Sequence, residues 1–263
     1  MLNIFKPKPL LSKEDQEFQH ASYAWLLKHF GGNDFYKDAQ LILPTKDFFP
    51  AQVNSPEEAA QTVFNQVKKY AGLEDWSCTL IAQEEDPNLV VAPTLVVRGI
   101  ENNPSGTFSV DENNEAVITY NPNLSASPME MVATFAHELS HYLTSTAPEP
   151  PPGGWDNWEF ATDICASFLG FGVFMANAAF SFNQYTSVDS QGWQSSRAGY
   201  LTEAEYSYSL ALFLTLKDMP FEKALRHCDP NIKKNLKIAK KELTNNSIVR
   251  ELHNVKYQPP HSK

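Results

Sequence analysis

The chain has 263 residues, 42% of them hydrophobic, which is enough to bury a sizeable core as one large domain. Its formal net charge of −10 argues against a nucleic-acid partner, because phosphate binding needs Lys and Arg clustered on an exposed face. Three cysteines, Cys78, Cys165 and Cys228, are odd in number and far apart, so they give no disulfide framework and read as buried thiols.

Residues 1–11 carry Lys6 and Lys8 but no apolar run of signal-peptide length, so a cytoplasmic setting is expected. Residues 12–30 predict a helix stopped by Gly31-Gly32, and Ser55-Pro56-Glu57-Glu58 opens a second helix to about residue 71. Residues 78–82 and 95–98 read as strands. Residues 107–110 and 116–120 flank the polar 111–115 turn as a hairpin. A strand at 116–120 running beside a catalytic centre would be placed to hold an extended peptide by main-chain hydrogen bonds.

Ser127-Pro128-Met129-Glu130 then predicts a helix start, with Ser as N-cap, Pro at the first helical position and Glu closing a capping box. Met131, Val132, Phe135, Leu139 and Leu143 recur at spacings of three and four, so this helix is expected in the core. On it lies His137-Glu138-Leu139-Ser140-His141. A helix sets residues four apart on one face, so the two imidazoles stand one turn apart with a carboxylate beside them, the donor set of a zinc hydrolase. Such a pair can also be two hydrogen-bonded core histidines, but Glu138 stands where a general base is required.

A catalytic zinc takes three protein ligands and keeps one position open, so a third ligand is sought downstream. Glu149 lies in 147–154, a Pro- and Gly-rich connection between helices, and is set aside. Asp156, Glu159 and Asp163 fall at i, i+3 and i+7 of the next helix, one carboxyl stripe, and any of them fits the ligand role on spacing alone.

His137-Glu138-x-x-His141 followed by Glu159-Phe160-Ala161-Thr162-Asp163 resembles the gluzincin pattern of thermolysin-like metallopeptidases. The resemblance implies that His137, His141 and Glu159 bind Zn2+, that Glu138 is the catalytic base, and that Asp163 hydrogen-bonds the first His. It also implies a peptide or protein substrate. A ligating His usually gives its second N–H to such a carboxylate. A variant with Asp156 or Asp163 as ligand stays open. The metzincin pattern fails, since it needs Gly and His where this chain has Thr144 and Ala147. Leu43-Pro44-Thr45 with Phe48-Phe49-Pro50, residues 168–178 and Gly199-Tyr200-Leu201-Thr202-Glu203 are similar to blocks of a bacterial protein family carrying the same metal motif. That likeness bears on the metal and is silent on what is cut. In thermolysin-like enzymes a later His or Tyr stabilises the oxyanion. Tyr200, Tyr206, Tyr208 and His227 follow the motif here, Tyr200 and Tyr206 being the first to test.

Residues 164–180 are almost uninterruptedly apolar, and because they continue from the Glu159 and Asp163 helix they read as a buried helix and not a membrane span. Residues 181–197 lack periodicity and predict a loop that borders the cleft. Helices are expected at 203–216, 221–227 and 231–242, the last with a solvated face of Lys233, Lys234, Lys237, Lys240 and Lys241. The tail 257–263 is expected to be loose. The fold class is α+β: a mostly helical, zincin-like single domain over 1–263 with a small mixed or antiparallel sheet next to the motif helix. It has room for two lobes, about 1–122 and 123–256, with a cleft between them. Two other function classes fit the same sequence. One is a non-catalytic module binding a peptide or protein, and the other is a zinc hydrolase of a small amide or ester.

Overall fold

A computed structural model of the chain describes residues 8–50, 55–83, 105–113, 115–185, 201–244 and 246–258. The strand expected at 95–98, the part of the expected loop beyond 185, and Tyr200 lie outside these residues.

Helix α1 (Lys13–Leu26) starts where the Ser12 hydroxyl accepts the N–H of Asp15, and it runs on through a π-helical turn, Leu27–Gly31. The expected glycine stop is met at Gly32, whose φ of 66° a side chain resists, but the chain re-enters a helix at once as α2 (Gly32–Lys37). Ser55 caps α3 (Pro56–Tyr70) by accepting from the Glu58 N–H.

Three strands follow, β1 (Cys78–Ala82), β2 (Gly106–Val110) and β3 (Ala116–Tyr120). They form a mixed sheet in the order β1-β3-β2, with β1 parallel and β2 antiparallel to β3. The hairpin turn is held by the Asp111 carboxylate, which accepts from the N–H groups of Asn113 and Glu115. Because β3 is paired on both sides, the role of holding an extended peptide, expected of residues 116–120, has no free main-chain groups there. Among the described residues β2 is the edge beside the motif helix. The Ser105 carbonyl accepts the Asn121 N–H and the Asp111 N–H donates to the Glu115 carbonyl, so by antiparallel alternation the main-chain groups of Gly106, Phe108 and Val110 turn to the outer edge.

Helix α4 (Pro128–Ser145) carries the motif. Its expected capping box does not form. The chain enters from a 3-10 turn, Pro122–Ala126, which leaves Ser127 at ψ 76° instead of the extended backbone that aims a cap hydroxyl back at N3. Burial holds the helix instead. All five residues of the predicted stripe are buried, and so are Ala133, Ala136, Ser140 and Thr144. The helix is packed by α3, by the sheet strands β2 and β3, and by α5 (Trp158–Ala166) and α6 (Gly172–Tyr185).

A π-helical turn, Ser167–Phe171, joins α5 to α6, and Gly170 bends the path with φ 103°. A Cβ there would collide with the Gln40 carbonyl, which sits in the notch. The stretch Trp155–Ala179 is long and apolar enough to cross a membrane by length and composition, yet 89% of its most apolar window is buried inside the protein. Residues 181–185, expected in a loop, continue α6. Helices α7 (Glu203–Leu216), α8 (Phe221–Leu225) and α9 (Pro230–Leu243) match the expected positions, and α10 (Ser247–His253) was not foreseen. The Gln258 N–H donates to the Lys28 carbonyl, so the first residues of the expected loose tail are docked against the end of α1. Cys165 and Cys228 are buried as expected, whereas Cys78 is only half-buried on β1. The architecture is thus α+β and mostly helical, with one buried cluster running from Leu11 to Leu252.

Candidate metal centre

The helical register of α4 puts His137 and His141 on one face, and α5 lies across that face with Glu159 in its first turn. The two His Nε2 atoms are 3.0 Å apart, and Glu159 Oε2 lies 3.5 Å from His137 Nε2 and 3.2 Å from His141 Nε2. These are the three donors that converge among the described residues. A tetrahedral zinc with bonds of about 2.0–2.1 Å separates its ligand atoms by about 3.3–3.4 Å. The donor set and its spacing therefore fit that ion.

Both imidazoles are oriented from behind. Asp163, one turn beyond Glu159 and fully buried, lies 2.9 Å by its Oδ1 from His137 Nδ1, and its Oδ2 accepts the Leu201 N–H at 3.0 Å. A carboxylate on Nδ1 holds the proton there and leaves Nε2 as a lone pair for a metal. Thr162 Oγ1 stands 3.3 Å from His141 Nδ1 in the same way. The Trp158 ring packs edge-on against His141 with centroids 4.9 Å apart, and its indole N–H donates to Thr144 Oγ1 at 2.8 Å.

The carboxylates make the site attractive to positive charge. Burial opposes a proton on His137, but Asp163 and Glu159 outweigh it and hold its pKa well above the ordinary imidazole value. Burial wins at His141, which is lowered. Burial also raises the Glu159 carboxyl, yet its bonds to the two imidazoles leave it well below the usual carboxylate range. Binding a metal must displace the proton that this arrangement otherwise favours on His137.

Glu138 sits beside the ligands with 5% of its surface exposed, and burial pushes its carboxyl up to about 7, against an opposing pull from His137. A Cβ on Gly106 of β2 would fall 3.1 Å from Glu138 Cγ and 2.7 Å from Thr134 Cγ2. Only a glycine lets the edge strand approach the helix this closely.

The remaining sequence-predicted residues are dispersed. Asp156 is exposed in a 3-10 turn, Trp155–Asn157, ahead of α5, so the expected stripe of three carboxyls reduces to Glu159 and Asp163. Asp163 faces the Nδ1 side of His137, away from the converging Nε2 atoms, which suits support and not ligation. Glu149 pairs with Lys28 and His29 and is not among the converging donors, consistent with its having been set aside. Tyr206 is fully buried in α7, with no exposed surface from which its hydroxyl would meet a substrate, and Tyr208 donates or accepts at His20 Nε2. Thr162, Trp158 and Gly106 went unremarked in the sequence. Thr162 had a signal, since i+3 from Glu159 shares its face; a lone strand glycine has none.

Comparison of the chain with protein-family models, with curated proteins and with solved structures finds no match. The resemblance to gluzincins is thus carried by the sequence motif of His137, Glu138, His141, Glu159 and Asp163, and the structure adds that His137, His141 and Glu159 could hold a metal.

Proposed function

We propose that this chain is a zinc-dependent metallohydrolase of zincin-like fold that cleaves peptide bonds, with His137, His141 and Glu159 as metal ligands and Glu138 as general base. The observation that carries the reading is the convergence of three donor atoms 3.0–3.5 Å apart, with carboxylate and hydroxyl support behind both imidazoles. Zinc held there supplies an acidified water and a Lewis acid for a carbonyl.

The chain's own residues do the rest. Glu138, raised by burial toward neutrality, is matched to taking a proton from a water nucleophile and returning it to the leaving amine. Asp163 keeps the His137 proton on Nδ1 throughout. The outward main-chain groups of Gly106, Phe108 and Val110 suit an extended peptide laid along β2, beside Glu138. That edge favours a peptide over a small amide or ester, which a closed pocket would suit better.

Elemental analysis of the purified protein beside Glu159→Ala, His137→Ala and Glu138→Gln tests the reading, followed by a peptide-library digest. Near-stoichiometric zinc in the wild type and in Glu138→Gln, loss in the two ligand variants, and cleavage by the wild type alone are expected. Zinc-loaded wild type that cuts no peptide would overturn the peptidase reading and leave a binding module or a zinc hydrolase of a small amide or ester.

A further inference from the structure

Trp155 is the most exposed large apolar side chain among the described residues, at 54%. An isolated exposed tryptophan needs no explanation, but this one is tied to the metal helices. Its ring meets Trp158 edge-on at 5.8 Å, and Trp158 meets the ligand His141 edge-on at 4.9 Å. The three rings form a ladder from the candidate metal centre to the surface. The two steps bound the Trp155 ring within about 11 Å of the His141 ring, about three residues of extended peptide at about 3.3 Å each.

The backbone holds Trp155 there. The preceding connection ends in Gly153 and Gly154, at φ 80° and 89°, and the Gly154 N–H donates to the Pro151 carbonyl. Asn157 N–H returns to the Gly154 carbonyl, and a Cβ on Gly153 would strike the Asn157 amide. Prolines on one side and a closed turn on the other hold the backbone that carries the ring before any ligand arrives, which lowers the entropy lost on binding. Glu159, in the first turn of α5, is exposed, with 48% of its side-chain surface open.

Resting on the peptidase reading, we infer that Trp155, backed by Trp158, forms a specificity subsite for a bulky apolar or aromatic side chain of the peptide, two to three residues from the bond cut. An aromatic face held rigidly and left in water gains from covering by such a side chain and gains little from a polar one. Trp158 is a positioning residue here, since its indole N–H is committed to Thr144.

The test is a set of soluble eight-residue peptides of Ser, Gly and Ala with one Phe moved through each position. Cleavage is measured for zinc-loaded wild type, Trp155→Ala and Trp155→Phe, and binding of the labelled peptides by anisotropy for Glu138→Gln with and without Trp155→Ala. Zinc content and circular dichroism control for folding. The expected result is that Phe two or three residues from the cut raises kcat/KM about tenfold over the Phe-free peptide, mainly through KM, and that Trp155→Ala abolishes this preference. Trp155→Phe should keep most of it, each protein's preference being taken against its own rate on the Phe-free peptide. Equal Phe preference in wild type and Trp155→Ala would overturn the subsite while leaving the peptidase standing. Trp155-dependent binding without cleavage would overturn the peptidase and keep the subsite. No binding of any Phe peptide to Glu138→Gln would overturn the subsite whether or not the wild type cuts.

Discussion

Asp163→Asn is the sharpest probe of the centre, because it keeps shape and volume while it removes the charge beside His137 and turns one acceptor oxygen into a donor. The wild-type carboxylate spends one oxygen on His137 Nδ1 at 2.9 Å and the other on the Leu201 N–H at 3.0 Å, and the residue is fully buried. Both partners need an acceptor, and Asn has one. If its oxygen stays on His137, its NH2 opposes the Leu201 N–H, and a buried donor left unsatisfied costs about 1–3 kcal/mol of fold stability. If it flips, the NH2 faces Nδ1, the imidazole proton moves to Nε2, and a metal must displace it from the ligand atom itself. Either outcome weakens zinc, by about 10–100-fold on the usual scale for groups behind a metal ligand, which is about 1.4–2.8 kcal/mol. Competition of the apoprotein against a chromogenic chelator reads the affinity, and melting in EDTA reads the stability. Zinc binding within twofold of wild type by the Asn variant would refute the proposed orientation of His137.

Gly106→Ala should displace β2 from α4, since the new methyl meets Thr134 Cγ2 at 2.7 Å and the Thr119 carbonyl at 2.9 Å. Overpacking of this kind costs about 1–3 kcal/mol, and a denaturant melt should find it with zinc content unchanged, because none of the ligands is on β2. Burial lifts the Cys165 and Cys228 thiols to about 12, so at pH 8 neither offers much thiolate. A chromogenic thiol reagent should count at most one fast group in the native protein, the half-buried Cys78, and three after denaturation.

The candidate metal site was legible in the sequence because helix geometry is rigid: once His137 and His141 share a face, the following helix needs only to cross it. What was not legible depended on how segments arrive. Ser127 has the residue type of a cap, but a 3-10 turn before it sets the wrong ψ. Asp156 has the spacing of a stripe, but the helix begins two residues after it. Ser181 to Tyr185 looked polar enough for a loop, yet they extend a helix already nucleated in the core. Helix α10 buries only Leu252, so it leaves no periodic trace. The strand order has no local signature either, and it moved the edge from residues 116–120 to 106–110.

Glu138 offers a way to ask whether the site is working machinery or a relic, independently of finding a substrate. Its carboxyl has an ordinary value of 4.5, and burial pushes it up to about 7 in the fold. A raised carboxyl means that the unfolded state ionises first, so stability is lost as pH rises from about 4.5 to about 7, and the full penalty stands above that. The gap between those two values makes the penalty about 3 kcal/mol in the metal-free protein. Glu138→Gln has the same size and nothing to ionise. In EDTA it should therefore match wild type near pH 4.5 and become more stable by up to about 3 kcal/mol at pH 8, read from paired melts. Zinc should narrow that difference, because a cation beside the carboxylate favours its ionised form. A fold that retains a destabilising carboxylate beside a metal is expected where the carboxylate has a task. If the Gln variant shows no pH-dependent gain over wild type, Glu138 carries no such burden and the argument from its burial to general-base catalysis fails.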